Sequence, residues 1–113
     1  MKRLRKHKFL LGTLCEVNPG QRKALLKQLN REQVHCIAEI ALNLLRGNIK
    51  ISPGTKSKLK RYRKELRSLA CPKTNFQKKK KILVQKGGFL GLLLKPALGI
   101  LGGLLPSILG SDQ

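Results

Sequence analysis

Aromatic side chains are scarce in this sequence, with no tryptophan, one tyrosine and three phenylalanines among 113 residues. Binding that depends on stacking bases over an aromatic platform is therefore not expected. Acids are scarcer relative to their counterparts, 5 against 25 lysines and arginines, and Glu16, Glu32, Glu39 and Glu65 are scattered singly among cations. No Ser-His-Asp or Cys-His-Asp set is recognisable, so neither an enzyme nor a cofactor is expected. The three cysteines, Cys15, Cys36 and Cys71, are odd in number and include no Cys-x-x-Cys pair. That argues against a disulfide framework and for a reducing compartment. His35 and Cys36 are neighbours, about 100° apart on a helix and a poor pair for one ion, so no metal site is expected. Met1-Lys-Arg-Leu-Arg-Lys carries the charge of a signal-peptide start, but the apolar run from Phe9 to Cys15 is short and Glu16 follows it. This segment reads as part of the folded protein.

What the chain has in excess is positive charge. From Gly87 onward Lys95 and Asp112 cancel, so the formal +20 lies on residues 1–86. A small body with that charge repels itself unless a polyanion neutralises it. Double-stranded DNA or another polyanion, such as an anionic membrane surface, is the expected partner, bound through phosphate contacts that carry no sequence information.

Helical periodicity dominates the first 71 residues. Leu4, Leu11, Leu14 and Cys15 predict an amphipathic helix over 3–15. Asn18-Pro19-Gly20 predicts a capped helix from Pro19 to about Leu29, burying Leu25, Leu26 and Leu29. Asn30 followed by Gln33 is a variant capping box. It opens the most regular stripe in the chain, Val34, Ile37, Ala38, Ala41, Leu44 and Leu45, widened by Ile40 and Leu42 and ended by Gly47-Asn48. Ile49 and Ile51 sit in a linker and help to close the core. Ser52-Pro53 starts another helix that should reach Ala70 before Cys71-Pro72 stops it.

That last helix has a narrow apolar seam, Leu59, Tyr62, Leu66 and Leu69. Lys56, Lys58, Lys60, Arg61, Arg63, Lys64 and Arg67 cover the rest, and they form the first half of the candidate nucleic-acid surface. Lys78, Lys79, Lys80, Lys81 and Lys86 form the second half, on a basic linker expected to be extended over 72–81. A helix-turn-helix reading of residues 30–69 fits less well. The Gly47 to Ser52 connection is long for such a turn, and the basic face lacks the Asn, Gln and Ser mixture that reads base edges.

From Phe89 to Leu109 the sequence is almost wholly apolar, broken by Lys95, Pro96 and Pro106 and loosened by glycines. Its candidate membrane or partner contacts are Phe89, Leu90, Leu92, Leu93, Leu94 and Leu98, continued by Ile100, Leu101, Leu104, Leu105, Ile108 and Leu109. Twenty helical residues span about 30 Å, enough for a bilayer core. Three destinations stay open: a transmembrane anchor, an interfacial segment, or an arm packed on a partner protein or on its own bundle.

The layout from Lys78 to Gly110, a basic run, then Gly87-Gly88, then an apolar tail, resembles the precursor family of adenovirus core protein X, a DNA-condensing peptide also called mu. Leu44-Leu-Arg-Gly-Asn and Lys58-Leu-Lys-Arg-Tyr-Arg-Lys-Glu-Leu-Arg-Ser-Leu also resemble small basic proteins of adenovirus-related elements, the Polinton or adintovirus group. The resemblance implies a virion core protein found in the virion and host nucleus, with a capsid protein or membrane as the tail's partner. It also implies a viral cysteine protease cutting after Gly88, between Gly87-Gly88 and Phe89. Lys86 would fill the free position of that motif, and Gln85 departs from the aliphatic residue expected there. Two glycines should keep this joint extended and accessible. The expected fold is all-α: a basic bundle of three or four helices over 1–71, a basic linker over 72–88 and a hydrophobic, helical tail over 89–113.

Overall fold

Capping side chains mark the start of four of the eight α-helices among the described residues. The structure is a computed structural model that describes residues 2–99, and among these all regular structure is helical. The N-terminal segment is two helices, α1 (Lys2–Lys6) and α2 (Lys8–Glu16), broken at His7. Asn18 accepts a hydrogen bond from the Gln21 N–H and starts α3 (Pro19–Lys27) with proline at its first turn. In α4 (Arg31–Leu45) the capping box is complete, with Asn30 Oδ1 accepting from Gln33 N–H and Gln33 Oε1 accepting from Asn30 N–H.

Gly47 ends α4 in the left-handed region, at φ 78°. Its N–H reaches the Leu44 carbonyl while the Asn48 N–H reaches that of Asn43, the paired closure that favours glycine at this position. Ile49 then turns inward and is buried. Ser52 caps α5 (Pro53–Leu59), which continues through a 3-10 turn at Lys60–Tyr62 into α6 (Arg63–Ala70). The single helix expected here is thus overwound at its middle. Side chains three apart eclipse one another in such a turn, which keeps Tyr62 in line with the buried Leu59.

The extended linker expected over 72–81 is overturned. Asn75 accepts from the Lys78 N–H and starts α7 (Phe76–Lys86). Phe76, Lys79, Leu83, Gly87 and Leu90 recur at helical spacing, so this segment has a core face in which Lys79 lends its methylene stem. A second 3-10 turn, Gly87–Phe89, leads into α8 (Leu90–Gly99).

The boundary between a bundle at 1–71 and a tail from 89 is overturned as well. Helix α8 packs along α2 and also touches α4 and α5, while α7 lies against α3, α4 and α6. Phe89, Leu90, Leu93, Leu94, Ala97 and Leu98 are buried in one cluster with Leu11, Leu14, Ile37 and Ile40. Of the three destinations open to the tail, Phe89–Gly99 takes its own bundle. The stretch Phe76–Gly99 is long and apolar enough to cross a membrane by length and composition, yet 44% of its most apolar window is buried inside this globule. Ile100, Leu101, Leu104, Leu105, Ile108 and Leu109 lie outside the described residues.

The glycine joint is helical and packed, not extended. Gly87 is buried, and a Cβ added there would stand 2.8 Å from Leu26 Cδ1, whereas one added to Gly88 would meet nothing within 4 Å. The two glycines therefore differ in what they tolerate. Gly87→Ala should lower stability by about 1–3 kcal/mol, because the buried Leu26 must shift. Gly88→Ala should raise it by about 0.4–1 kcal/mol, because alanine removes unfolded-state freedom at no steric cost. Chemical denaturation of the two variants checks the pair; equal midpoints would contradict the close approach at Gly87.

Candidate nucleic-acid interface

The α5–α6 segment has its apolar seam fixed inward. Leu59, Leu66 and Leu69 are buried, α6 packs on α4, and Tyr62 stacks on the buried Phe89 with ring centroids 5.1 Å apart and planes inclined by 23°. Fixing that seam turns the cationic side out. Lys56, Lys58, Lys60, Arg61, Arg63, Lys64 and Arg67 are all exposed, and the one carboxylate on the segment, Glu65, is half-buried. At 1.5 Å per residue the cations from Lys56 to Arg67 run along about 17 Å of surface.

These charges have few internal partners. Among the described residues Glu32 pairs with Lys6 at 2.8 Å and lies 3.6 Å from His7 Nε2, and neither contact involves α5 or α6. The Lys6 ammonium, through its hydrogen bond, holds the Glu32 carboxyl below its ordinary range. Arg22 serves the fold, its Nε donating to the Leu14 carbonyl at 2.8 Å. Among the described residues no carboxylate lies within ion-pair distance of the exposed cations of α5–α6.

The lysines of α7 divide by the geometry of their helix. Lys78, Lys81 and Lys86 are exposed, while Lys80 is half-buried with its Nζ 5.5 Å from the centre of the Phe76 ring. Lys79 is only 5% exposed and belongs to the core side of α7. A run of four lysines therefore presents fewer charges than a solvated linker would. Sequence reasoning overlooked Arg31, whose guanidinium lies 4.8 Å from the Phe76 ring centre, and Lys27, which lines a groove of about 260 Å³ with Lys80 and Lys81. The signal for both was the Asn75 cap, since only a helical α7 brings these positions beside α3 and α4.

The residues expected to meet a membrane or partner are placed differently. Phe89, Leu90, Leu93, Leu94 and Leu98 are buried, and Leu92 is half-buried beside Tyr62, Lys58 and Arg61. The bond expected to be cut, Gly88 to Phe89, sits within a 3-10 turn with the Phe89 ring enclosed. Among the described residues no group of three His, Cys, Asp or Glu could hold a metal ion. No disulfide joins Cys15, Cys36 and Cys71; burial pushes Cys15 up, whereas the backbone N–H of Lys73 holds Cys71 below the usual thiol range.

Comparison of the chain with known protein families, with characterised sequences and with solved structures finds no match.

Proposed function

We propose that the protein is a non-enzymatic binder of double-stranded DNA that neutralises phosphate without reading sequence, acting as a core protein of an adenovirus-like virion. The observation that supports this most directly is the α5–α6 face: seven exposed cations from Lys56 to Arg67, backed by a buried seam and without an ion pair to any described residue. Positively charged surfaces of this kind release counterions from DNA, which supplies affinity without base contacts. The virion setting comes from the resemblance around Gly87-Gly88, which also carries the proposed capsid or membrane contact of the apolar sequence from Ile100 to Leu109. A second reading assigns the same exposed cations to anionic lipid headgroups, which attract clustered lysine and arginine as DNA phosphates do.

Two charge-matched variants test the site. Replacing Lys58, Arg61, Lys64 and Arg67 with glutamine should weaken duplex binding and lower the steepness of its salt dependence by about 1 per cation removed. Replacing Arg5, Lys23, Arg46 and Lys50, which are also exposed and lie outside α5–α6, removes the same charge and should change the slope much less. Equal losses in both variants would mean that net charge, not this face, holds the DNA. Retained DNA binding with loss of liposome flotation in the first variant would favour the lipid reading.

A further inference from the structure

Between the C-terminal end of α4 and the α5–α6 segment lies a groove of about 210 Å³. Its floor is apolar, built from Leu44, Leu45, Ile51, Leu59 and Leu66. Leu59 and Leu66 are core residues seen from their outer edge, but Leu45 is 43% exposed, one of two large apolar side chains among the described residues to stand so far out. The other, Phe9 on α2, has Lys8 over its ring. Along one side of the groove stand Lys56, Lys60 and Arg63, all exposed.

The combination narrows what fits. Duplex DNA would use the three cations and leave the apolar floor wet, because it has no apolar side chain to seat there. A single lipid headgroup would engage one point of a charged row that runs about 10 Å along the helix. A short helix with leucines on one face and acids beside them matches both features. Its carboxylates would repeat at the same three- and four-residue spacing as Lys56, Lys60 and Arg63, and its apolar face would cover Leu45 and Ile51. A cavity of ~150 Å³ lined by such residues accepts a benzene-sized group, so this groove has room for a leucine or phenylalanine anchor.

We infer that the groove between α4 and α5–α6 is a docking site for an acidic amphipathic helix of a partner protein. The rim cations also belong to the face proposed for DNA, so a seated helix masks part of it. That consequence rests on the DNA reading; the docking does not.

The experiment uses the full chain and fluorescence anisotropy at physiological salt. Its probes are a labelled synthetic helix with leucines at i, i+3 and i+7 flanked by glutamates, and a scrambled peptide of the same composition. The helix should bind at least about tenfold more tightly than the scrambled peptide, the effect of burying one leucine-sized anchor. Leu45→Lys should abolish that preference even though it adds a positive charge, while duplex DNA binding holds or tightens. Charge alone predicts the opposite sign, so tighter helix binding by Leu45→Lys, or equal binding of the two peptides, overturns the proposal. Should phosphatidylglycerol vesicles lose affinity on Leu45→Lys while the helix does not, the occupant is lipid and the proposal falls.

Discussion

A chain ending at Gly88 is expected to show no cooperative thermal transition. Such a truncation removes Phe89, Leu90, Leu93, Leu94 and Leu98, each no more than 2% exposed in the folded protein. Deleting one buried side chain of this size typically costs about 2–5 kcal/mol, against a total stability of about 5–15 kcal/mol for a domain. Losing five together exceeds what the remaining core can supply, and the positive charge left on residues 1–86 adds self-repulsion. Circular dichroism melts of the full chain, of a chain ending at Gly99 and of one ending at Gly88 check this. The first two should melt cooperatively and the third should not; a sharp transition in the third would show that residues 2–88 hold a core of their own. Cutting between Gly88 and Phe89 would accordingly divide a domain, instead of trimming a tail from one.

Affinity for duplex DNA is expected to fall by roughly 10³–10⁵ between 50 and 200 mM salt, the range for about 6–10 phosphate contacts. The exposed cations of α5–α6 alone supply enough charge for the lower end of that range. Their geometry sets a ceiling too, because Lys79 is withdrawn into the core and Lys80 lies against Phe76, so neither counts fully. Titrating duplexes of unrelated sequence at several salt concentrations should give one common slope. Tight binding to one short sequence that resists salt would overturn the phosphate reading and favour base readout.

The helix starts were legible because their chemistry is local. Asn18 before Pro19, Asn30 with Gln33, and Ser52 before Pro53 each satisfy free N–H groups through side chains a few residues away, and all three appear as read. Gly47 was legible for the same reason, since a left-handed residue after a helix favours glycine. Helix α7 was hidden by its lysines. Asn75 is a cap of the same kind, but the run from Lys78 to Lys81 masks a core stripe in which one lysine takes an apolar position. The fate of Phe89–Gly99 was not local at all. A bilayer and a protein interior select the same leucines, and the difference lies in the faces of α2, α4 and α5 that await them. In the candidate interface the cations of α5–α6 followed from their seam, whereas Lys27 and Arg31 became visible only once α7 had a place.

The Tyr62–Phe89 stack gives the molecule a built-in optical probe. The chain has one tyrosine and no tryptophan, so emission excited at wavelengths that phenylalanine does not absorb originates at a single ring. That ring belongs to the basic segment and rests on the residue that follows the glycine joint. Quenching, anisotropy and lifetime of this one fluorophore thus report, without any label, whether the charged surface and the C-terminal helix are still clasped together.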